Sequence, residues 1–129
     1  MKISSLNDFV EKDHPNLKII NSVQELPLDK PFLATIAMPQ CPHCKTEFKE
    51  ALNPLCKTDF KGKIQCFGID GTTEDGQRFI QNIGLNVQGF PTSIMCKPNT
   101  ENGRIECAPI EGAYPKEDLL NIAKKMKLI

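Results

Sequence analysis

The sequence has no excess of charge of either sign. Its 16 lysines and arginines are matched by 16 aspartates and glutamates over 129 residues. A balanced chain offers no basic stripe for nucleic acid and no polybasic cluster for anionic lipid. The densest basic patch, Lys124-Lys125-Met126-Lys127, reads as the end of a helix complementing its own dipole. There is no apolar run long enough to span a bilayer, and the stretch Met1 to Asp8 lacks the apolar core of a secretory signal. Tryptophan is absent and only two histidines occur, His14 and His43. No internal repeat or low-complexity segment is present.

What remains is a length suited to one domain with a single core, and six cysteines. Without a visible signal, six cysteines read as mostly free thiols in a reducing, cytoplasmic setting. Two of them form the motif Cys41-Pro42-His43-Cys44. Phe32-Leu33-Ala34-Thr35-Ile36-Ala37 before it has the make-up of a buried strand, and Met38-Pro39-Gln40 breaks that run. From Cys44 the apolar residues fall at Phe48, Ala51, Leu52 and Leu55, one face of a helix. Cys41 then takes the N-cap and Pro42 the first helical position, where a missing N–H costs nothing. A thiolate at Cys41 faces free backbone N–H groups and the positive end of the helix. His43 and Lys45 add positive charge nearby. Cys41 is therefore the expected nucleophile and Cys44 the resolving thiol of a disulfide exchange.

Other uses of the pair fit less well. Haem attachment requires a histidine after the second cysteine, where this chain has Lys45. A structural zinc site requires a second pair of ligands at similar spacing, and Cys56, Cys66, Cys96 and Cys107 form none. No metal and no organic cofactor is expected, because the cysteines themselves carry the electrons.

The remaining pattern predicts a β–α–β–α–β–β–α order. Ser5 to Lys12 reads as a short serine-capped amphipathic helix ended by His14-Pro15, Leu17 to Ile20 as a strand and Val23 to Leu26 as one helical turn. Asn53-Pro54 is expected to kink or restart the helix that begins at Pro42. Lys63 to Ile69 reads as a strand. A helix follows, capped by Thr72 or Thr73 and closed by Gly84. Pro91 to Cys96 and Arg104 to Ala108 form a hairpin around Pro98 to Gly103, and Pro115 opens the last helix, with Leu119, Ile122, Ala123 and Met126 on one face.

These residues resemble the thioredoxin superfamily: Cys41-Pro42-His43-Cys44 after a strand, Gly89-Phe90-Pro91-Thr92 opening a later strand, and Glu111-Gly112-Ala113 before the last helix. The resemblance covers Leu17 to Met126. It implies an α/β thioredoxin fold, a central mixed sheet flanked by helices, over residues 17–129, with residues 1–16 as an N-terminal helical extension. It also implies a cis bond before Pro91, beside the redox pair, and an exposed Phe90 backbone that pairs with an extended substrate peptide.

The sequence departs from the family in two places. Gln40 stands where a tryptophan is usual, and Thr35 where a buried acid on the strand helps deprotonate the second cysteine. The Pro42-His43 dipeptide resembles the oxidising bacterial periplasmic members rather than the Gly-Pro of thioredoxin. The Thr-Val-Pro and Gly-Gly with which glutaredoxins hold glutathione are missing.

The resemblance implies a thiol–disulfide oxidoreductase exchanging disulfides with protein substrates, tuned toward oxidation. The alternative is a binding or scaffold module with little turnover. The catalytic candidates are Cys41, Cys44, His43 and Pro42; the substrate-binding candidates are Phe90, Pro91, Gln40 and Met38. Expected partners are disulfide- or dithiol-containing proteins and a redox partner that recharges the pair, with no nucleic acid, no membrane and a monomeric state.

Several other residues are assigned bland roles. His14 is read as a surface residue and Asp70 as turn chemistry at a strand end. Cys56 and Cys66 are read as core thiols. Cys96 and Cys107 face each other across the hairpin, where the reducing-compartment reading favours thiols over a disulfide. Met38, Pro39, Phe90 and Tyr114 either rim the cysteines or, for Met38 and Phe90, fill the core.

Overall fold

The computed structural model describes residues 5–99 and 101–129. Met1 to Ser4 of the predicted extension and Thr100 of the predicted hairpin loop lie outside the described residues. Among the described residues, β1 (Leu17–Ile19), β2 (Phe32–Ala37), β3 (Gln65–Asp70), β4 (Thr92–Asn99) and β5 (Arg104–Glu111) form one sheet in the order β1-β3-β2-β4-β5. β1 and β2 run parallel to β3, while β4 is antiparallel to β2 and to β5. The helices are α1 (Pro42–Glu47), α2 (Asn53–Lys57), α3 (Glu74–Ile83) and α4 (Lys116–Lys125). This is the mixed α/β architecture the sequence predicts. No helix among the described residues is long and apolar enough to cross a membrane.

β2 is the central strand and every one of its residues is buried, as a strand covered on both faces requires. Its alternation divides the core in two. Leu33 and Ala37 pack with Cys41, Cys44, Phe48, Leu52, Leu119 and Ala123, under α1, α2 and α4. Phe32, Ala34 and Ile36 pack with Phe79, Ile94 and Cys96 on the α3 side. The cysteine motif at the C-terminal end of β2 thus belongs to the first of these layers.

Differences from the sequence reading have identifiable causes. The N-terminal helix is a single 3-10 turn, Leu6–Phe9, in which the Ser5 hydroxyl accepts the Asn7 N–H at 3.1 Å. Leu6 and Phe9 are buried in the domain core, and the Phe9 ring lies 5.7 Å from that of Phe48. Pro54 does not stop the helix. Instead a π-helical segment, Phe48–Leu52, joins α1 to α2, with the Asn53 N–H donating to the Phe48 carbonyl. This wider turn is one way a helix accommodates a proline that can neither donate nor tolerate the regular carbonyl beneath it. β4 runs on to Asn99 through Pro98. Pro98 lies past the last β2 partner, Phe32 opposite Cys96, where β4 has a neighbour on one side only and a proline is tolerated.

His14 is not a bland surface residue. Its Nδ1 accepts the Asn16 N–H at 3.0 Å, and its Nε2 donates to the Asn53 carbonyl at 3.1 Å. The Asn53 side chain donates to the Phe9 and Phe48 carbonyls, both at 2.9 Å, and accepts the Glu11 N–H at 3.2 Å. Together they tie the N-terminal segment to the π-helical turn.

Four cysteines read as thiols are disulfide-bonded. Cys56 of α2 joins Cys66 of β3, and Cys96 of β4 joins Cys107 of β5. Cys56 and Cys66 are core residues, as read, but the helix return through buried Phe60 and Ile64 brings their Cα atoms to 6.3 Å, within bridging range. Cys96 and Cys107 are direct partners in the β4–β5 ladder.

Candidate active site

The site begins where β2 runs out. Met38 to Gln40 turn the chain, closed by the Cys41 N–H donating to the Met38 carbonyl at 3.1 Å. Cys41 is the N-cap of α1, with extended backbone angles and Pro42 in the first turn. Its Sγ accepts the Cys44 N–H at 3.2 Å, so sulfur does here what a capping oxygen does elsewhere. The helix places Cys44 one turn in and fully buried, while Cys41 retains 5% exposure. Both are free thiols. Burial, then the hydrogen bond with Cys41, pushes the Cys44 thiol up to about 12.

A second loop closes over the pair. The Phe90–Pro91 peptide bond is cis, and the Cys41 thiol donates to the Phe90 carbonyl at 3.7 Å. The loop is held by the Thr92 hydroxyl on the Gly89 carbonyl at 2.7 Å and by the Gly112 N–H on the Pro91 carbonyl at 2.9 Å. Glycine at residue 71 lets the Phe90 ring pack closely against the backbone. A Cβ there would lie 2.4 Å from the Phe90 ring.

Of the predicted site residues, Cys41, Cys44, Phe90 and Pro91 are brought together. Pro91 is buried and Phe90 half-buried. Phe90 meets the cysteines through its backbone, while its ring covers Gly71. Gln40, Pro42 and His43 are exposed around Cys41, and Met38 is half-buried against the same core layer as the cysteines. Tyr114 also packs on that layer. Asp70 is turn chemistry: its carboxylate accepts the Thr72 N–H at 2.9 Å.

One residue escaped the sequence reading. Glu47 is 3% exposed and lies three positions after Cys44, hence on the same helix face. One carboxylate oxygen accepts the Tyr114 N–H at 2.8 Å; the other is buried with no partner among the described residues. Burial pushes the Glu47 carboxyl up to about 7, partly opposed by the Tyr114 bond, and its negative charge adds to the rise at Cys44. The signal was an acid inside the apolar stripe Cys44, Phe48, Ala51. Thr35, at the position of the family's strand acid, is fully buried with its hydroxyl 2.8 Å from that of Ser93. The strand beneath the cysteines therefore supplies a neutral pair and the helix supplies the carboxyl.

No protein-family model matches the sequence, and no curated protein matches it. Solved structures do. The fourth thioredoxin domain of ERdj5 superposes with a TM-score of 0.69 at 16% identity, over 88% of this chain and 97% of that domain. Chloroplastic thioredoxin z gives 0.68 at 16% identity, over 87% and 95%. A thioredoxin of Malassezia sympodialis gives 0.64 at 20% identity, over 84% and 89%. The chain has the thioredoxin fold.

Proposed function

We propose that this protein is a thiol–disulfide oxidoreductase that exchanges disulfides with protein substrates through Cys41 and Cys44. The observation that carries the reading is the geometry at Cys41. Its sulfur caps a helix, accepts the Cys44 N–H at 3.2 Å and lies 3.7 Å from the carbonyl before Pro91, with Cys44 buried behind it. Similar thioredoxin-fold structures include a thioredoxin f2 in complex with ferredoxin:thioredoxin reductase, which supports a separate redox partner here.

In the oxidising direction a substrate thiolate attacks Cys41 Sγ of the Cys41–Cys44 disulfide. The Cys41–Cys44 bond breaks, and its electron pair leaves on Cys44, which takes a proton from Glu47. A second substrate thiolate then attacks the substrate sulfur of the mixed disulfide and releases Cys41 as a thiolate. Reduction runs these steps in reverse. A carboxyl near 7 can both give and take that proton at neutral pH, and it borders a depression of about 380 Å³ lined by Thr46, Ala113, Tyr114 and Lys116 through which it exchanges with solvent. His43 is exposed beside Cys41, and the Cys41 sulfur caps the N-terminus of α1, an arrangement that favours a thiolate there. Stabilising that thiolate stabilises the reduced pair and makes the disulfide an oxidant. Phe90 and Pro91 offer backbone to an extended substrate, flanked by Gln40 and Met38. The pair itself carries the electrons, without a cofactor.

The two further disulfides support an oxidising compartment, in place of the cytoplasmic setting expected from the sequence. The scaffold reading rests on the missing strand acid and the missing tryptophan, and the buried Glu47 carboxyl answers the first of these.

The test is exchange with insulin disulfides and with a dithiol peptide. Cys41→Ser abolishes both reactions, and Cys44→Ser accumulates mixed disulfides on Cys41. Unchanged rates in both variants would overturn the reading. Direction is tested by equilibrating the pair in glutathione buffers. A potential near about −120 mV supports an oxidant, and one near about −270 mV a reductant.

A further inference from the structure

The Cys96–Cys107 disulfide lies on the opposite side of the sheet from Cys41 and Cys44. Cys96 packs with Phe32, Ala34, Ile36 and Ile94, whereas the redox pair packs with Leu33, Ala37 and Met95. Its two ends differ sharply. Cys96 is fully buried, and Cys107 is exposed on β5. A nucleophile arriving from solvent therefore meets Cys107 first, with Cys96 on the inner side as the leaving group.

Cys107 also lines a cavity of about 520 Å³. Its walls are mostly apolar, with Leu28, Phe32, Ile94 and Ile105 among them; Gln24 and Asn82 are polar members, and no charged side chain among the described residues lines it. Leu28 is 65% exposed and Ile105 37%, so the cavity is reached from solvent past apolar side chains. A cavity of this size with apolar walls is of the kind that holds small molecules. A disulfide on its wall reacts with thiols, and a lining without charge suits an uncharged ligand body.

We propose that this cavity binds a small uncharged apolar thiol, which modifies the protein at Cys107. The thiol gives up its proton to solvent and its thiolate attacks Cys107 Sγ. A bond forms between the ligand sulfur and Cys107, the Cys96–Cys107 bond breaks, and the electron pair leaves on Cys96, which takes up one proton. A second ligand thiol can then attack the ligand sulfur, forming the ligand disulfide and leaving Cys107 as a thiol. The ligand thiol is the only reductant needed. Cys56 and Cys66, at 0% and 1% exposure, offer no comparable approach and serve as the internal control.

The experiment uses the full chain carrying Cys41→Ser and Cys44→Ser, so that the redox pair takes no part. The protein is exposed to phenylmethanethiol or to glutathione, whose thiolates are of similar intrinsic reactivity, at equal thiolate concentrations, quenched with acid and mapped by mass spectrometry. Phenylmethanethiol is expected to label Cys107 roughly tenfold faster than glutathione, reflecting burial of its ring in the cavity. Cys56–Cys66 is expected to stay intact. Leu28→Asp, at an exposed position, is expected to collapse the preference. Equal rates for the two thiols, a preference untouched by Leu28→Asp, or attachment at Cys96, Cys56 or Cys66 would each overturn the proposal. Loss of exchange at Cys41 in the wild-type protein would overturn the proposed function and leave this site standing.

Discussion

Glu47 lies one helical turn beyond Cys44, and both side chains are buried in the same layer beneath the sheet, at 3% and 0% exposure. A carboxyl in that position is charged at a cost and neutral at little cost, so its proton is shared between the fold and the chemistry.

The stability consequence follows from linkage. The Glu47 carboxyl is raised from 4.5 to about 7 in the folded chain. The native state therefore binds more protons than the unfolded state between these values, and stability falls as pH rises from about 4.5 to about 7. Glu47→Gln keeps the neutral shape and removes the titration. In urea unfolding with the disulfides intact, the variant is expected to match the wild type near pH 4. It should exceed it by on the order of 3 kcal/mol at pH 8. Exchange is expected to move the other way, with resolution of the mixed disulfide slowed roughly 100-fold at neutral pH. A variant that loses stability at pH 8 while keeping full exchange rates would show that Glu47 is only a structural acid.

Much of the site was legible because local chemistry determines it. A buried strand, a breaking Met38-Pro39-Gln40, and Pro42 behind a capping cysteine place Cys41 without reference to distant residues. The element order was equally readable from periodicity, down to a threonine cap, which falls on Thr73 of the two candidates Thr72 and Thr73, and Gly84 closing α3 in a left-handed conformation at φ 69°. What escaped depends on long-range packing. Glu47 is polar in sequence, yet it is buried and bonded to the backbone N–H of Tyr114, 67 residues away. The pairing of Cys56 with Cys66 depends on how α2 returns to β3, which no spacing rule encodes. Asn53 looked like a helix breaker's neighbour and is a buried bolt between two segments.

The two thiols are expected to differ sharply toward alkylation. Cys44 is fully buried, and burial with the Cys41 hydrogen bond pushes it up to about 12, so it stays a thiol at pH 8 and does not react. Iodoacetamide should label Cys41 alone in the reduced protein, and Cys41→Ser should leave the motif nearly unlabelled. Peptide mapping reads this directly. Equal labelling of Cys44 would contradict its burial.

Gly71 tests whether the Phe90 loop must be held from behind. A methyl at residue 71 meets the Phe90 ring at 2.4 Å and Ile36 at 3.0 Å. Gly71→Ala is expected to push the ring outward, at a stability cost of about 1–2 kcal/mol. Because Phe90 carries the carbonyl beside Cys41, exchange with a dithiol peptide should slow several-fold more than alkylation of Cys41 by a small reagent. If both rates change together, the loop's position is immaterial to substrate contact.

Asn53 holds three backbone groups at once: the Phe9 and Phe48 carbonyls and the Glu11 N–H. Asn53→Ala leaves the Phe9 carbonyl and the Glu11 N–H without their partner, while the Phe48 carbonyl keeps the backbone N–H of residue 53. Such a loss costs about 1–3 kcal/mol when water cannot substitute, and the Glu11 N–H lies where water can reach it. A net loss of about 1–3 kcal/mol is expected from urea unfolding. The loss should be local first. Hydrogen exchange is expected to speed up from Leu6 to Glu11 and through Phe48 to Asn53, while β2 to β4 keep their protection. The Lys57–Glu11 ion pair, half exposed, contributes little and should not rescue the segment. Uniform loss of protection across the sheet would mean that Asn53 stabilises the whole domain rather than the junction it bonds.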